Sequence, residues 1–188
     1  VTAQKTGMVF SWGVVGVMMF PLVARAFGIV ASIVGIMMVK LDKEEKMDPM
    51  QALNNGYYIA VALAMVGFGF ATHWLLNSPQ APNAWWHFFL CGIVGVLTSV
   101  AFVYITQYYT EYRYRPVKMI AESCTTGPAT TIITGIAVGF ECTALPTLVI
   151  GAALLGSYYL GHTSGLPEAG LFGTAVATMG MLATAAYI

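Results

Sequence analysis

Long stretches without any charged side chain are the feature that most limits how this chain can fold. No Asp, Glu, Lys or Arg occurs at residues 51–110, 123–140 or 142–167. Of all 188 residues only 9% are charged and 58% are hydrophobic, whereas about 25% of the residues of a soluble domain are charged. Such stretches offer water little surface to solvate, so we expect them to lie in lipid.

Five apolar runs are long enough, or nearly so, to cross a hydrocarbon core of roughly 30 Å, which takes about 20 helical residues. The predicted helices span about residues 8–39, 51–76, 87–110, 128–160 and 171–188. Because the first run contains Pro21 and Arg25, we predict one tilted, kinked helix there. The predicted fold class is all-α, a polytopic membrane protein.

The ends of the chain suggest that it is a piece of a longer protein. It begins at Val1 without an initiator Met, and it stops at Ile188 inside an apolar run. We therefore expect 1–188 to be a fragment of a single transmembrane domain, with about five transmembrane helices of a larger helical bundle. The remaining helices of the same polypeptide and the lipid bilayer are its expected partners.

Basic residues alternate between the predicted loops, which indicates the sidedness of the chain. Two segments carry them: Lys40, Lys43 and Lys46 in the first, and Arg113, Arg115 and Lys118 in the second. The loops at 77–86 and 161–170 carry none. Since basic loops favour the cytoplasm, we expect an integral, multi-pass protein of the cell or inner membrane. The N-terminus of this chain would lie outside and its C-terminus at the cytoplasmic face.

Small residues predict where helices pack, because lipid gives helices no hydrophobic reason to associate. Gly135 and Gly139 follow Thr131 at every fourth position of the fourth run. The last run carries a second stripe of small residues, which comprises Gly173, Ala177, Gly180 and Thr184. These patterns predict an inner fifth helix with the fourth packed on it, and three more peripheral helices before them.

Two ionisable residues lie inside apolar runs, where a charge is expensive and usually faces protein or water. Arg25 either snorkels to the interface, pairs structurally with another helix, or has a functional role. Glu141 precedes Pro146, whose missing N–H frees a backbone carbonyl one turn earlier. That carboxylate could bind a proton or cation, cap a helix break, or pair with a basic residue of a missing helix.

Other functional classes find little support in the sequence. The net charge of zero gives no basic field that would bind nucleic acid. Cys91, Cys124 and Cys142 follow no metal-ligand spacing and are best explained as small apolar residues. No phosphate-binding glycine loop or paired-carboxylate motif occurs, so we expect no catalytic and no metal-binding residue in this fragment.

The segment from Tyr108 to Gly127, and its continuation to Gly139, resemble the membrane-bound, ion-pumping inorganic pyrophosphatases. That family has a turn of the form P-V-x-x-x-A-x-S-C-x-T-G, followed by A-T-x-x-I-x-G-x-x-x-G. The matching residues are Pro116, Val117, Ala121, Ser123, Cys124, Thr126, Gly127, Ala129, Thr130, Ile133, Gly135 and Gly139. The first hundred residues resemble the family in hydropathy and in the F-P-L pattern around Pro21.

This resemblance implies hydrolysis of inorganic pyrophosphate coupled to the pumping of H⁺ or Na⁺, by a homodimer. Mg²⁺ is the implied cofactor, bound by residues outside the fragment, and K⁺ is a second candidate. Within this chain the candidates for the ion path or an intramembrane charge are Glu141, Arg25, Thr178 and Thr184.

Two rival functions stay open from the sequence. One is a secondary ion-coupled transporter without hydrolytic activity, in which Glu141 and the helix interrupted at Pro146 form a midplane ion site. The other is a purely structural membrane anchor.

Overall fold

The computed structural model describes residues 13–38, 49–76, 84–165 and 168–184 of the chain. These residues form six α-helices and no strand. The helices are α1 (Gly13–Met38), α2 (Pro49–Leu75), α3 (Ala84–Thr110), α4 (Arg115–Ser123), α5 (Pro128–His162) and α6 (Ala169–Thr184). The all-α fold predicted from the apolar runs is confirmed.

Four of these helices, α1, α2, α3 and α5, are long and apolar enough to cross a membrane. The described part of α6 is an apolar helix of 16 residues. α1 is helical through Pro21. The predicted basic segment with Lys40, Lys43 and Lys46, the proline-containing segment 77–83 and the last residues 185–188 lie outside the described residues.

α4 corrects one prediction, because residues 116–127 were expected to form a turn. Instead, a short helix of nine residues extends from Arg115 to Ser123. Pro116 lies in its first turn, where a proline loses no intrahelical hydrogen bond and its fixed φ suits the helix. Val117 and Ile120, three positions apart, are half-buried, while Lys118 is exposed. The segment is therefore amphipathic at helical spacing.

The chain divides into two compact units. The first unit comprises Val1–Leu97 and Leu154–Ile188, and so contains α1, α2, the start of α3, the end of α5 and α6. The second unit is Thr98–Ala153, which contains the end of α3, α4 and most of α5.

Aromatic rings and small residues together fill the core of the first unit. The rings of Phe20 and Phe68 meet edge to face with centroids 5.5 Å apart, which joins α1 to α2. Phe88 and Phe172 do the same at 5.0 Å, which joins α3 to α6. The other buried residues of this core are Ala24, Ala71, Leu75, Leu76, Ala84, Cys91, Ala169, Val176 and Ala177. Edge-to-face pairs and alanines allow these helices to pack without voids.

α6 lies in direct backbone contact with its neighbours in the first unit. A Cβ added to Gly180 would collide with the backbone of Gly92 on α3. A Cβ on Gly95 of α3 would collide with the backbone carbonyl of Ala177. Such contacts are possible only where both helices carry small residues, so the predicted stripe on the last run lies at a helix interface.

α6 meets α5 near the turn that joins them. A Cβ on Gly173 would lie 2.8 Å from the Ser157 carbonyl oxygen and 3.0 Å from the Gly161 Cα. The start of α6 therefore packs on the end of α5. At about 1.5 Å per residue, the described part of α6 is about 24 Å long. The stretch of α5 from Gly135 to Gly161 is about 39 Å long.

Gly135 and Gly139 lie in the second unit, in open surroundings. Among the described residues, no atom outside their own stretch of helix comes within 4 Å of the position that a Cβ would take at either glycine. Their predicted role in helix packing stays a prediction.

We predict that Gly180→Ala destabilises the protein, because the new Cβ would lie 3.0 Å from the Gly92 carbonyl carbon and closer still to its oxygen. Overpacking of this kind costs about 1–3 kcal/mol. The midpoint of thermal unfolding of the full-length protein in detergent measures the effect. Gly156→Ala is the matched control, since the space around Gly156 is open. Equal midpoints for the two variants would contradict the proposed close approach.

Candidate functional site

The four candidate ion-path residues are distributed over both units. Arg25, Thr178 and Thr184 lie in the first unit, and Glu141 lies in the second. Among the described residues, the long apolar helices of each unit thus carry one Asp, Glu, Lys or Arg side chain: Arg25 in the first unit and Glu141 in the second. Their surroundings differ, because Arg25 has a hydrogen-bond partner on another helix and Glu141 has none among the described residues.

Arg25 and Thr184 both donate hydrogen bonds to main-chain carbonyls of the last described turn of α6. The Arg25 guanidinium donates a hydrogen bond from Nη1 to the Leu182 carbonyl oxygen. Three residues after Arg25, Gly28 lies against the backbone of Ala183. The Thr184 hydroxyl is buried and donates to the Met181 carbonyl at 2.9 Å. Polar groups thus gather around the carbonyls of the last described turn of α6.

Thr178 lies one and a half turns earlier on α6. Its hydroxyl is exposed and donates to the Thr174 carbonyl at 3.0 Å. A hydroxyl bonded in this way keeps its own lone pairs available as acceptors. Thr178 could therefore still accept a hydrogen bond from water or coordinate a cation.

Glu141 lies within the apolar part of α5, between Ile132 and Leu155. The described residues of this chain leave the Glu141 side chain exposed. Five residues later, Pro146 lacks the N–H that would bond the Cys142 carbonyl, so this carbonyl has no intrahelical donor. One turn on from that break, the Thr147 hydroxyl donates to the Thr143 carbonyl at 2.8 Å. A carboxylate and a freed carbonyl together could hold a proton or a cation.

Tyr109 is a neighbour of Glu141 that sequence reasoning missed. Its phenol, at the end of α3, lies close enough to the Glu141 carboxylate for the two to interact electrostatically. The sequence indicated only an aromatic residue near the membrane interface, since nothing in it sets the register of α3 against α5. A phenol beside a carboxylate can donate a hydrogen bond to it and relay a proton.

Threonine hydroxyls organise the link between α4 and α5, where the motif described above lies. The Ser123 carbonyl accepts from the Thr126 hydroxyl at 2.8 Å and from the Thr130 hydroxyl at 3.2 Å. The two hydroxyl oxygens are 2.6 Å apart. Gly127, at the centre of the link, has a φ of +129°, which side chains rarely tolerate. Residues 124–127 of the motif thus form a compact turn between two helices.

Charged and aromatic residues surround the start of α4. Arg113 lies 3.5 Å from the Glu111 carboxylate and 5.7 Å above the Tyr112 ring. The rings of Tyr108 and Tyr114 are 5.3 Å apart. Tyrosines next to basic residues are typical of a helix that lies at the membrane interface.

Metal ligands do not come together in the part of the chain that the structure describes. Within it no group of three or more His, Cys, Asp or Glu side chains is close enough to hold a metal ion.

The sequence matches one protein family along almost its whole length. The family described as inorganic H⁺ pyrophosphatase matches residues 2–188.

Individual relatives agree with this match. The chain is 55% identical over 177 residues to K(+)-insensitive pyrophosphate-energized proton pump 2 of Moorella thermoacetica, covering 94% of the chain and 25% of that protein. It is 48% identical over 184 residues to pyrophosphate-energized membrane proton pump 3 of Arabidopsis thaliana, covering 92% of the chain and 23% of that protein. A K(+)-insensitive pyrophosphate-energized proton pump of Caldanaerobacter subterraneus is 45% identical over 186 residues, with coverages of 96% and 26%. The chain spans about a quarter of the length of these relatives.

We predict that Gly127→Ala destabilises the second unit although the space around Gly127 is open. The positive φ of +129° disfavours any side chain, and backbone strain of this kind costs about 1–3 kcal/mol. Gly151→Ala is the control, because Gly151 is also in open surroundings but lies within α5, where Ala is the better helix former. Thermal unfolding of the full-length protein should separate the two variants, and a tolerated Gly127→Ala would show that the link can adopt another conformation.

Proposed function

Because the chain belongs to the inorganic H⁺ pyrophosphatase family, we propose that it is part of a membrane pump in which hydrolysis of pyrophosphate drives the transport of protons. The family match over residues 2–188 is the observation that carries this proposal. The chain is part of an integral, multi-pass membrane protein, as its four long apolar helices require. The match favours the pump over a secondary transporter or an anchor.

The catalytic centre is assigned to parts of the protein outside this chain. The described residues contain no cluster of metal ligands, and the chain spans about a quarter of its relatives. Residues elsewhere in the polypeptide would therefore bind pyrophosphate and Mg²⁺. The relatives named as K(+)-insensitive support a pump for protons that does not need K⁺.

This chain would supply helices of the scaffold and part of the ion path. The candidate ion-path residues are Glu141 and Tyr109 in the second unit and, in the first unit, Thr178 and Thr184 on α6. Glu141 would take up and release the transported proton, because an intramembrane carboxylate can exchange one. Hydroxyls on α6 would carry hydrogen-bonded water along the path.

The proposal also gives the pump an orientation in the membrane and a dimeric assembly. The amphipathic α4, which contains Arg115 and Lys118, and the preceding Arg113 would lie on the cytoplasmic surface, where basic residues are favoured. The turn between α5 and α6 would lie on the opposite side, which the short loops without Lys or Arg support. The exposed apolar side chains of α5 would be covered by lipid and by other helices of a homodimer.

The activity is tested with the full-length protein in sealed proteoliposomes. We expect hydrolysis of pyrophosphate that needs Mg²⁺, acidification of the lumen, and faster hydrolysis when an ionophore collapses the gradient. Replacing Na⁺ by K⁺ in the buffer should leave the rate unchanged. Transport that needs Na⁺ would show that sodium is the ion, and ion transport without any hydrolysis would contradict the pump.

Glu141→Ala should lower the rate of proton transport by about tenfold or more, equivalent to about 1.4 kcal/mol in the barrier. The reason is that the carboxylate is the ionisable group of the proposed path through α5. Thr163→Ala is the control, since Thr163 lies exposed in the turn after α5 and bonds only the nearby Leu160 carbonyl. If both variants transport protons as fast as the unmodified protein, Glu141 has no role in transport.

A further inference from the structure

Arg25 lies at a position where a charged side chain is energetically costly. It lies near the midpoint of α1, an apolar helix that is long enough to cross a membrane. The helix carries exposed apolar side chains on both sides of it, including Leu22 and Ile29. An arginine at such a depth is costly and normally bonds protein or water.

The structure shows what the Arg25 guanidinium bonds. Its Nη1 donates to the Leu182 carbonyl of α6, and this is its one hydrogen bond among the described residues. No carboxylate in the described part of the chain pairs with it. A main-chain carbonyl has two lone pairs, so the Leu182 oxygen can accept this bond as well as an intrahelical one.

Close packing fixes this contact in place. A Cβ on Gly28 would lie 2.5 Å from the Ala183 carbonyl oxygen and 3.0 Å from its Cα, so the backbones of α1 and α6 touch one residue beyond Leu182. Ala24 and Ala183 are both 2% exposed. Because the two helices cannot slide apart without losing these contacts, the guanidinium stays over the last described turn of α6.

A guanidinium suits this carbonyl better than an ammonium would. The guanidinium also keeps further N–H donors, which can bind water or other carbonyls in a fixed fork. Lysine at this site would offer a point charge on a flexible stem.

We propose that Arg25 is a positioning residue for ion transport, which fixes the rotation of α6 through the Leu182 carbonyl. Thr178 and Thr184 lie on this helix, so its rotation sets the direction of their hydroxyls. The contact of Gly28 with Ala183 keeps the two helices together in either case, but without the guanidinium α6 turns about its own axis, which uncouples transport from hydrolysis. This inference rests on the proposed function of the full-length protein.

The test compares the number of protons moved per pyrophosphate hydrolysed in proteoliposomes of the full-length protein. In Arg25→Met this ratio should fall at least about fivefold, the lower end of typical coupling between sites. In Arg25→Lys the ratio should lie between that of Arg25→Met and that of the unmodified protein. An ammonium can donate a hydrogen bond to the carbonyl, but it lacks the fixed, planar set of donors of a guanidinium. Leu22→Met is the matched control on the exposed side of α1 and should keep the ratio of the unmodified protein.

Three results would overturn the proposal. The first is an unchanged ratio in Arg25→Met. The second is a fall of hydrolysis and transport in equal proportion in both Arg25 variants, which a merely structural contact predicts. The third applies if Arg25→Met does not accumulate in membranes. In that case Arg25→Lys is decisive, and a ratio in Arg25→Lys equal to that of the unmodified protein would overturn the proposal.

A second measurement is independent of activity. Thr184→Cys is introduced with Cys124 and Cys142 replaced by Ser, and its reaction with a methanethiosulfonate is timed. Thr184 is 3% exposed, so the thiol should react slowly beside Arg25 and several times faster in Arg25→Met. Equal rates would contradict the contact with α6. Unmodified protein that hydrolyses no pyrophosphate would instead contradict the proposed function, and the thiol rates would still test Arg25.

Discussion

Contact between helix backbones around α6 is the interaction on which the first unit depends. Lipid is as apolar as the side chains themselves, so helices gain from meeting only where they pack closely. Gly180 lies against Gly92, Gly95 against Ala177, and Gly28 against Ala183. These pairs bring α1 and α3 onto one 16-residue helix, and the aromatic pairs of Phe20 and Phe88 fill the space that remains. A larger side chain at these glycines would separate the helices whose relative positions the proposed path requires.

Polar groups within the long helices are satisfied mostly by the helix that carries them. Ser32 donates to the Gly28 carbonyl at 2.9 Å, and Thr72 donates to the Gly69 carbonyl at 2.9 Å. Such local bonds remove the cost of a hydroxyl in oil without needing a second helix. Arg25 instead bonds the Leu182 carbonyl of α6, and the Cys91 thiol bonds the Ser157 carbonyl of α5 at 3.5 Å. These two bonds connect helices of the first unit. The Glu141 side chain has no hydrogen bond among the described residues.

Part of this fold and site could be predicted from the sequence. Uncharged runs predicted the five apolar helices, and intramembrane charge singled out Arg25 and Glu141. The short helix α4 was missed, because the motif from Pro116 to Gly127 was interpreted as a turn, although Pro116 is well placed in a first helical turn. Tyr109 was missed as well, since its proximity to Glu141 depends on how α3 lies against α5.

The sequence by itself determined that the chain lies in lipid and that its structure is helical. Uncharged runs of about 20 residues or more match the length of membrane-crossing helices and are about twice as long as the strands of a membrane barrel, so the length of these runs indicates an all-α structure in lipid. It also determined the family, through residues matched in order along the chain. Only the tertiary structure decided that Arg25 bonds Leu182 and that Tyr109 lies by Glu141. The physical reason is that such pairs depend on the rotation and depth of helices far apart in sequence, which are set by packing between surfaces and not by any local pattern.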